Sequence, residues 1–210
     1  MIDPFKKIND EDRKKLLKNL EAQTFQFKKN VSILSYIKTN NLLGIILEGA
    51  IQIVRTDYEG NRTITEELTE NAVFGSKISY LNDDECEMIT KEDTTLIVID
   101  YFGIINYMQN GSDYYSQFIL NLLEITMAII SERNERIKIL TKKTIRNRLL
   151  EYFNIIHKKT RSRIIYLPFS FTDLADYLAA DRSAMSREMK SLKDEGIISV
   201  KGRKITLLYK

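Results

Sequence analysis

Between residues 181 and 195 the chain reads DRSAMSREMKSLKDE, and five of those side chains share one kind of chemistry. Arg182, Arg187 and Lys190 are cations, and Ser183 and Ser186 are hydroxyls that donate or accept. The whole chain holds one histidine, His157, and one cysteine, Cys86. That leaves too few ligands for a metal centre of clustered histidines or for an iron–sulfur cluster on four cysteines. What remains is recognition, by hydrogen-bond donation to a partner rich in acceptors. At 100° per residue Met185, Met189 and Leu192 fall within about 60° of one another. The polar residues project from the other side, with Arg182 at its edge, so the segment reads as a helix with one side for a core and one for a partner.

The neighbouring residues say how that helix is held. Ser170 with Asp173 three residues on makes a capping box ahead of Leu174, Ala175 and Leu178. A first helix starts there, Ala179-Ala180-Asp181 is a joint of small residues, Asp181 caps the second helix and Gly196 ends it. Two short helices around a three-residue joint make a helix-turn-helix. Residues 197–208, IISVKGRKITLL, are then two β-type runs joined at Lys201-Gly202-Arg203-Lys204, a hairpin with a basic tip. The result is a winged helix-turn-helix, whose second helix fits the major groove of DNA while the wing grips phosphates on the flank. On this reading Arg182, Ser183, Ser186, Arg187 and Lys190 face base edges, and Lys201, Arg203 and Lys204 face phosphates.

Charge agrees with that partner. Residues 1–140 carry 16 Lys+Arg against 22 Asp+Glu, whereas residues 141–210 carry 16 against 7. A basic last third on an acidic remainder favours a polyanion, because each neutralised phosphate releases condensed counterions. No apolar run approaches the roughly 20 residues that cross a bilayer, and MIDPFKKINDEDRKK lacks the apolar core of a signal peptide. The expectation is a cytoplasmic protein without a membrane partner, and the lone cysteine fits a reducing compartment.

The remainder divides by periodicity. Residues 9–20 read as a short helix capped by Asn9 or Asp10. Residues 22–101 hold short β-branched runs, VSIL, LGIILEG, IQIVRT, RTITEEL and TLIVID, with a hairpin turn at Tyr58-Glu59-Gly60-Asn61. They imply a small barrel or sandwich. From residue 112 a long helical pattern follows, with Phe118, Leu122, Ile125, Ile129 and Ile137 as the expected face toward a second copy of the chain, so a homodimer. The joint to the last domain is expected near Leu140 and Thr141. KKTRSR, residues 158–163, is a basic loop, and His157 is read as a structural residue at a helix end.

The chain resembles the Crp/Fnr superfamily of bacterial transcription regulators. The resemblance is carried by Leu174-Ala175-Asp176-Tyr177-Leu178, by the run from Arg182 to Arg187, and more weakly by Ile46-Leu47-Glu48-Gly49 with Ile51 and Ile53, Glu59-Gly60-Asn61, and Val73-Phe74-Gly75. It implies an α+β fold: a cupin-like β-roll sensor of the cyclic-nucleotide-binding type over 1–111, a dimerisation helix over 112–140, and the winged helix-turn-helix over 141–210. It also implies that Arg182 and Arg187 contact bases or phosphates and Ser186 makes a second groove contact, that Ser170, Thr172 and Lys201 hold backbone phosphates, and that loop 158–163 lies where relatives touch RNA polymerase.

Two departures matter. Many relatives carry Glu directly after the first arginine, where this chain has Ser183, so a carboxylate accepting from cytosine N4 is missing. The effector pocket would lie at Phe74, Gly75, Ser76 and Lys77, but the family's Glu after Phe-Gly is replaced by Ser76 and Lys77, and no arginine occurs between Arg62 and Arg133. Asp83, Asp84, Glu85 and Glu87 crowd the place of the phosphate-binding arginine, which argues against cyclic AMP. No cofactor is evident, and the effector is a small molecule of unknown identity. The expected function is a homodimeric regulator reading a two-fold operator, controlled from the β-roll. The alternative is an effector-sensing interaction module that never touches DNA. A cupin-type enzyme is disfavoured, since no histidine precedes residue 157.

Overall fold

The structure, a computed structural model, describes residues 2–37, 41–56, 58, 62–75, 78, 86–107, 112–167 and 170–209. The chain divides into two compact units, Met1–Met127 and Ala128–Lys210. Among the described residues no helix is long and apolar enough to cross a membrane.

In the first unit, α1 (Asp10–Asn19) starts at Asn9, whose side-chain oxygen accepts from the Asp12 N–H at 2.9 Å. Asp10, Glu11 and Asp12 meet the positive end of the helix. Strands β1 (Gln23–Phe27), β2 (Leu42–Glu48), β3 (Ala50–Thr56), β4 (Arg62–Thr69), β5 (Val73–Gly75), β6 (Cys86–Thr90) and β7 (Thr94–Asp100) form two antiparallel sheets, ordered β1-β7-β2-β5 and β4-β3-β6. Ile46, Leu96 and Val98 from the first share a core with Ile51, Ile53 and Met88 from the second, and Cys86 is buried among them. On β2 and β7 the alternate residues Leu43, Ile45, Ile97 and Ile99 are buried as well, so that sheet is covered on both faces. Strands β3 and β4 pair from Ala50 opposite Thr69 to Thr56 opposite Arg62, as a hairpin at Tyr58-Glu59-Gly60-Asn61 requires. Residues 59–61 of that turn lie outside the described residues.

Phe74 is fully buried, and its ring lies over Gly44, its partner on β2. A Cβ at Gly44 would stand 2.1 Å from the ring's Cζ, and one at Gly75 would stand 2.2 Å from the Leu42 carbonyl oxygen. Both glycines are therefore sites of close approach. Of the residues expected to line an effector pocket, Phe74 and Gly75 are both buried: the ring packs in the core and Gly75 lets β5 lie against β2. Ser76 and Lys77, like Asp83, Asp84 and Glu85, lie outside the described residues.

After α2 (Tyr101–Tyr107) comes α3 (Asp113–Leu140), which carries apolar residues on two sides. Phe118 is fully buried and stacks on Phe5 with centroids 5.7 Å apart, and Ile125 is buried too. Asn121, also buried, donates to the Pro4 carbonyl at 3.0 Å and the Lys6 carbonyl at 2.8 Å. The set expected to face a second copy therefore splits. Phe118 and Ile125 belong to the core of their own unit, Leu122 and Ile129 are half-buried, and Ile137 is exposed. The outward apolar residues are Leu120, Leu123, Met127, Ile130 and Ile137, each between 49% and 60% exposed. Their 3-4-3 spacing continues through Asn134, which is exposed and occupies the one polar place in the stripe.

The second unit contains α4 (Ile145–Thr160), β8 (Ile164–Tyr166), α5 (Phe171–Tyr177), α6 (Arg182–Asp194), β9 (Ile198–Lys201) and β10 (Lys204–Leu207). Thr144 caps α4, accepting from the Asn147 N–H at 3.1 Å. The wing is a three-stranded antiparallel sheet ordered β8-β10-β9, one strand more than the two β-type runs read from the sequence. Leu149, Phe153, Leu174, Leu178, Met185, Leu192 and Ile205 are buried together, each burial contributing roughly 1.5–3 kcal/mol. His157 closes the loop after α4, with Nδ1 2.9 Å from the Ser162 carbonyl oxygen.

Candidate nucleic-acid interface

The interface begins with two helix caps. Ser170 and Asp173 form the reciprocal capping box: Ser170 Oγ accepts from the Asp173 N–H at 3.2 Å, and the Asp173 carboxylate accepts from the Ser170 N–H at 3.1 Å. The Ser170 hydroxyl also donates to that carboxylate at 2.8 Å. Both Ser170 donors are thus engaged in holding α5. Thr172, two residues further on in the first turn of α5, is half-buried.

The turn between the helices is left-handed at Ala179, with φ of 47°. The Ala179 N–H reaches the Asp176 carbonyl and the Ala180 N–H reaches the Ala175 carbonyl, the paired bonds of a Schellman end with alanine where glycine is usual. Asp181 then caps α6, accepting from the Ala184 N–H at 2.8 Å and from the Ser183 hydroxyl at 2.6 Å. Those bonds, the hydroxyl first, hold the Asp181 carboxyl below its usual range, helped by the nearby Arg187. With its proton on Asp181, the exposed Ser183 hydroxyl keeps its oxygen as an acceptor.

Along α6, Met185, Met189 and Leu192 are buried while Arg182, Ser183, Ser186, Arg187 and Lys190 are all exposed. The helix ends in a second Schellman pair, with Gly196 at φ 72°. On the wing, Lys201 and Arg203 are exposed, and Gly202 turns the hairpin at φ 58°. Lys204 is half-buried, with its ammonium 5.9 Å from the centre of the Tyr166 ring. Among the described residues none of Arg182, Arg187, Lys190, Lys201 and Arg203 forms an ion pair. Exposed cations without an ion-pair partner make a positive surface that attracts an anionic ligand.

Residues absent from the sequence reading frame this surface. Arg146 at the start of α4 bonds both Glu195 carboxylate oxygens, one at 2.8 Å, and ties α4 to the end of α6. That guanidinium, with the Ser191 hydroxyl, pulls the Glu195 carboxyl down to about 2. Arg148 bonds the turn itself. Neither contact leaves a trace in local spacing, because the partners lie about 30 to 50 residues away in sequence. Tyr166 on β8 is exposed beside the wing tip and was likewise unmarked by any motif.

Residues 145–209 match the Crp-like helix-turn-helix domain family, and residues 24–110 match the cyclic nucleotide-binding domain family. The chain belongs to the Crp/Fnr superfamily. As a Crp/Fnr protein it is a DNA-binding transcription regulator. Solved structures share the fold at low identity. CprK in complex with OCPA is 14% identical, with 93% of this chain and 91% of that one covered and a TM-score of 0.66. A CooA mutant from Carboxydothermus hydrogenoformans is 19% identical over 93% and 86%, with a TM-score of 0.61. The catabolite activator protein of Thermus thermophilus is 16% identical over 97% and 92%, with a TM-score of 0.53. No curated protein matches the sequence.

Proposed function

We propose that this Crp/Fnr chain acts as a homodimer that reads a two-fold DNA site, with half-sites about 34 Å apart. The observation that carries the reading is α6, whose exposed side is Arg182, Ser183, Ser186, Arg187 and Lys190 while its other side is core. Arg182 and Arg187 address base edges, and Lys201 and Arg203 hold phosphates on the flank. The second copy docks on the outward stripe of α3, Leu120, Leu123, Met127, Ile130 and Ile137, rather than on Phe118 and Ile125. No catalytic step belongs to this function.

Control comes through the first unit. A small molecule that binds one conformation of the β-roll better than another shifts the population of dimers whose two α6 helices match the half-sites. Cyclic AMP does not suit the residues, since the sequence offers no arginine between Arg62 and Arg133 for its phosphate and Phe74 is buried in the core. The basic segment 158–163, expected as a loop, starts as the last turn of α4 and leaves the helix only after Thr160; its Lys158, Arg161 and Arg163 are exposed and form the contact for RNA polymerase. Replacing these three by alanine is expected to abolish transcription activation in a reconstituted assay while leaving the footprint unchanged. A parallel loss of both overturns that assignment.

The reading as a whole is tested by genomic footprinting followed by titration of a bound duplex at two salt concentrations. A reader that neutralises six to ten phosphates loses roughly 10³ to 10⁵ in affinity between 50 and 200 mM salt. Affinity that is absent, or indifferent to salt, marks instead an interaction module that does not touch DNA.

A further inference from the structure

Arg148 lies on α4, four residues after the Thr144 cap, and its guanidinium bonds three main-chain carbonyls from two separate segments. Nε donates to the Lys142 carbonyl at 3.0 Å, in the short stretch that follows α3. Nη1 donates to the Leu178 carbonyl at 3.0 Å and to the Ala179 carbonyl at 2.9 Å, in the turn between α5 and α6. The last carbonyls of a helix have no partner within it, and a cation at that end meets the negative pole of the helix. Ala179 also sits at positive φ, a conformation that a residue with a Cβ adopts only when its surroundings enforce it. The planar fork of an arginine can hold two segments at fixed angles, which an ammonium cannot.

We propose that Arg148 is a positioning residue for DNA reading: it fixes the turn that aims α6 and ties that turn to the residues leaving α3. The angle of α6 and the exit of α3 then move together. This inference rests on the reading of α6 as the DNA-reading helix.

The test is the ratio of the Kd for a random duplex to the Kd for the footprinted site, at one salt concentration and well below the unfolding temperature. Arg148→Lys and Arg148→Met both lower the ratio by about tenfold or more, as expected for loss of charge-assisted bonds that hold one geometry. Random-duplex affinity for Arg148→Lys stays within about twofold, because its charge is kept. Hydrogen exchange of amides 178–181 speeds up in both. Adding Ala179→Gly to Arg148→Met relieves the positive-φ cost and restores the fold of the turn without the tether. The lowered ratio persists in that double variant. A preference that survives both Arg148 substitutions, or one restored by lysine or by Ala179→Gly, overturns the inference while leaving the reading of α6 intact. A wild-type protein with no preference for any site overturns both.

Discussion

Replacing Ile130 and Ile137 together by glutamate converts the protein to a monomer and weakens binding to a two-half-site duplex by about a thousandfold. Both side chains are more than half exposed on the outward stripe of α3, one heptad apart, so folding of a single chain does not depend on them. In a dimer they would be desolvated, and a carboxylate in that seam meets its own copy across the two-fold axis. Once the first half-site is bound, the second is met at an effective concentration on the order of millimolar, against a single-module Kd on the order of micromolar. Losing the partner removes that gain. Sedimentation and titration on full and half-sites measure both effects, and a double variant that stays dimeric rejects this face. Phe118→Ala provides the contrast, since it removes a ring stacked on Phe5 and costs about 3–5 kcal/mol of fold stability. Asn134→Leu in the same stripe tightens association but admits other registers or oligomeric states, because a lone polar residue at such a position selects one pairing at a cost in stability.

Arg187→Ala costs about 1–3 kcal/mol on the preferred site, roughly a five- to 150-fold loss, and flattens discrimination at one base pair. The side chain is exposed on α6 and in no ion pair among the described residues, so its fork is available for the O6 and N7 acceptors of a guanine. Arg187→Lys keeps the charge and loses the fork, and it is expected to retain random-duplex affinity while losing the same discrimination. Lys201→Ala, at the wing, weakens every sequence alike and lowers the salt slope by about one. Titrations of a site with each base pair changed in turn separate the two behaviours. If Arg187→Ala shifts all sequences equally, the arginine is a phosphate contact and α6 sits on DNA in another register.

Helix α6 was legible because its signals are local. Ser170, Asp173, Asp181 and Gly196 each act within four residues of themselves, and the burial of Met185, Met189 and Leu192 follows from helical period alone. On α3 the same period misled. Phe118 and Ile125 are as apolar as Ile130 and Ile137, and only contacts from the start of the chain, such as Phe5 on Phe118, decide which side is already covered. Strand β8 was missed because Ile164-Ile165-Tyr166 is three residues long and pairs with a strand nearly forty residues later. Phe74-Gly75 carried a family signal for a ligand pocket, yet here its first demand is steric, the fit of an aromatic ring over Gly44.

At the tip of the wing Lys201 stands directly opposite Lys204 across the hairpin, with Arg203 between them. Like charges directly opposite on neighbouring strands are mildly destabilising, and the Lys204 ammonium lies toward the Tyr166 ring, an aromatic face that favours a cation. An anion at the tip is expected to offset what repulsion remains, so the hairpin should fray less when it meets one.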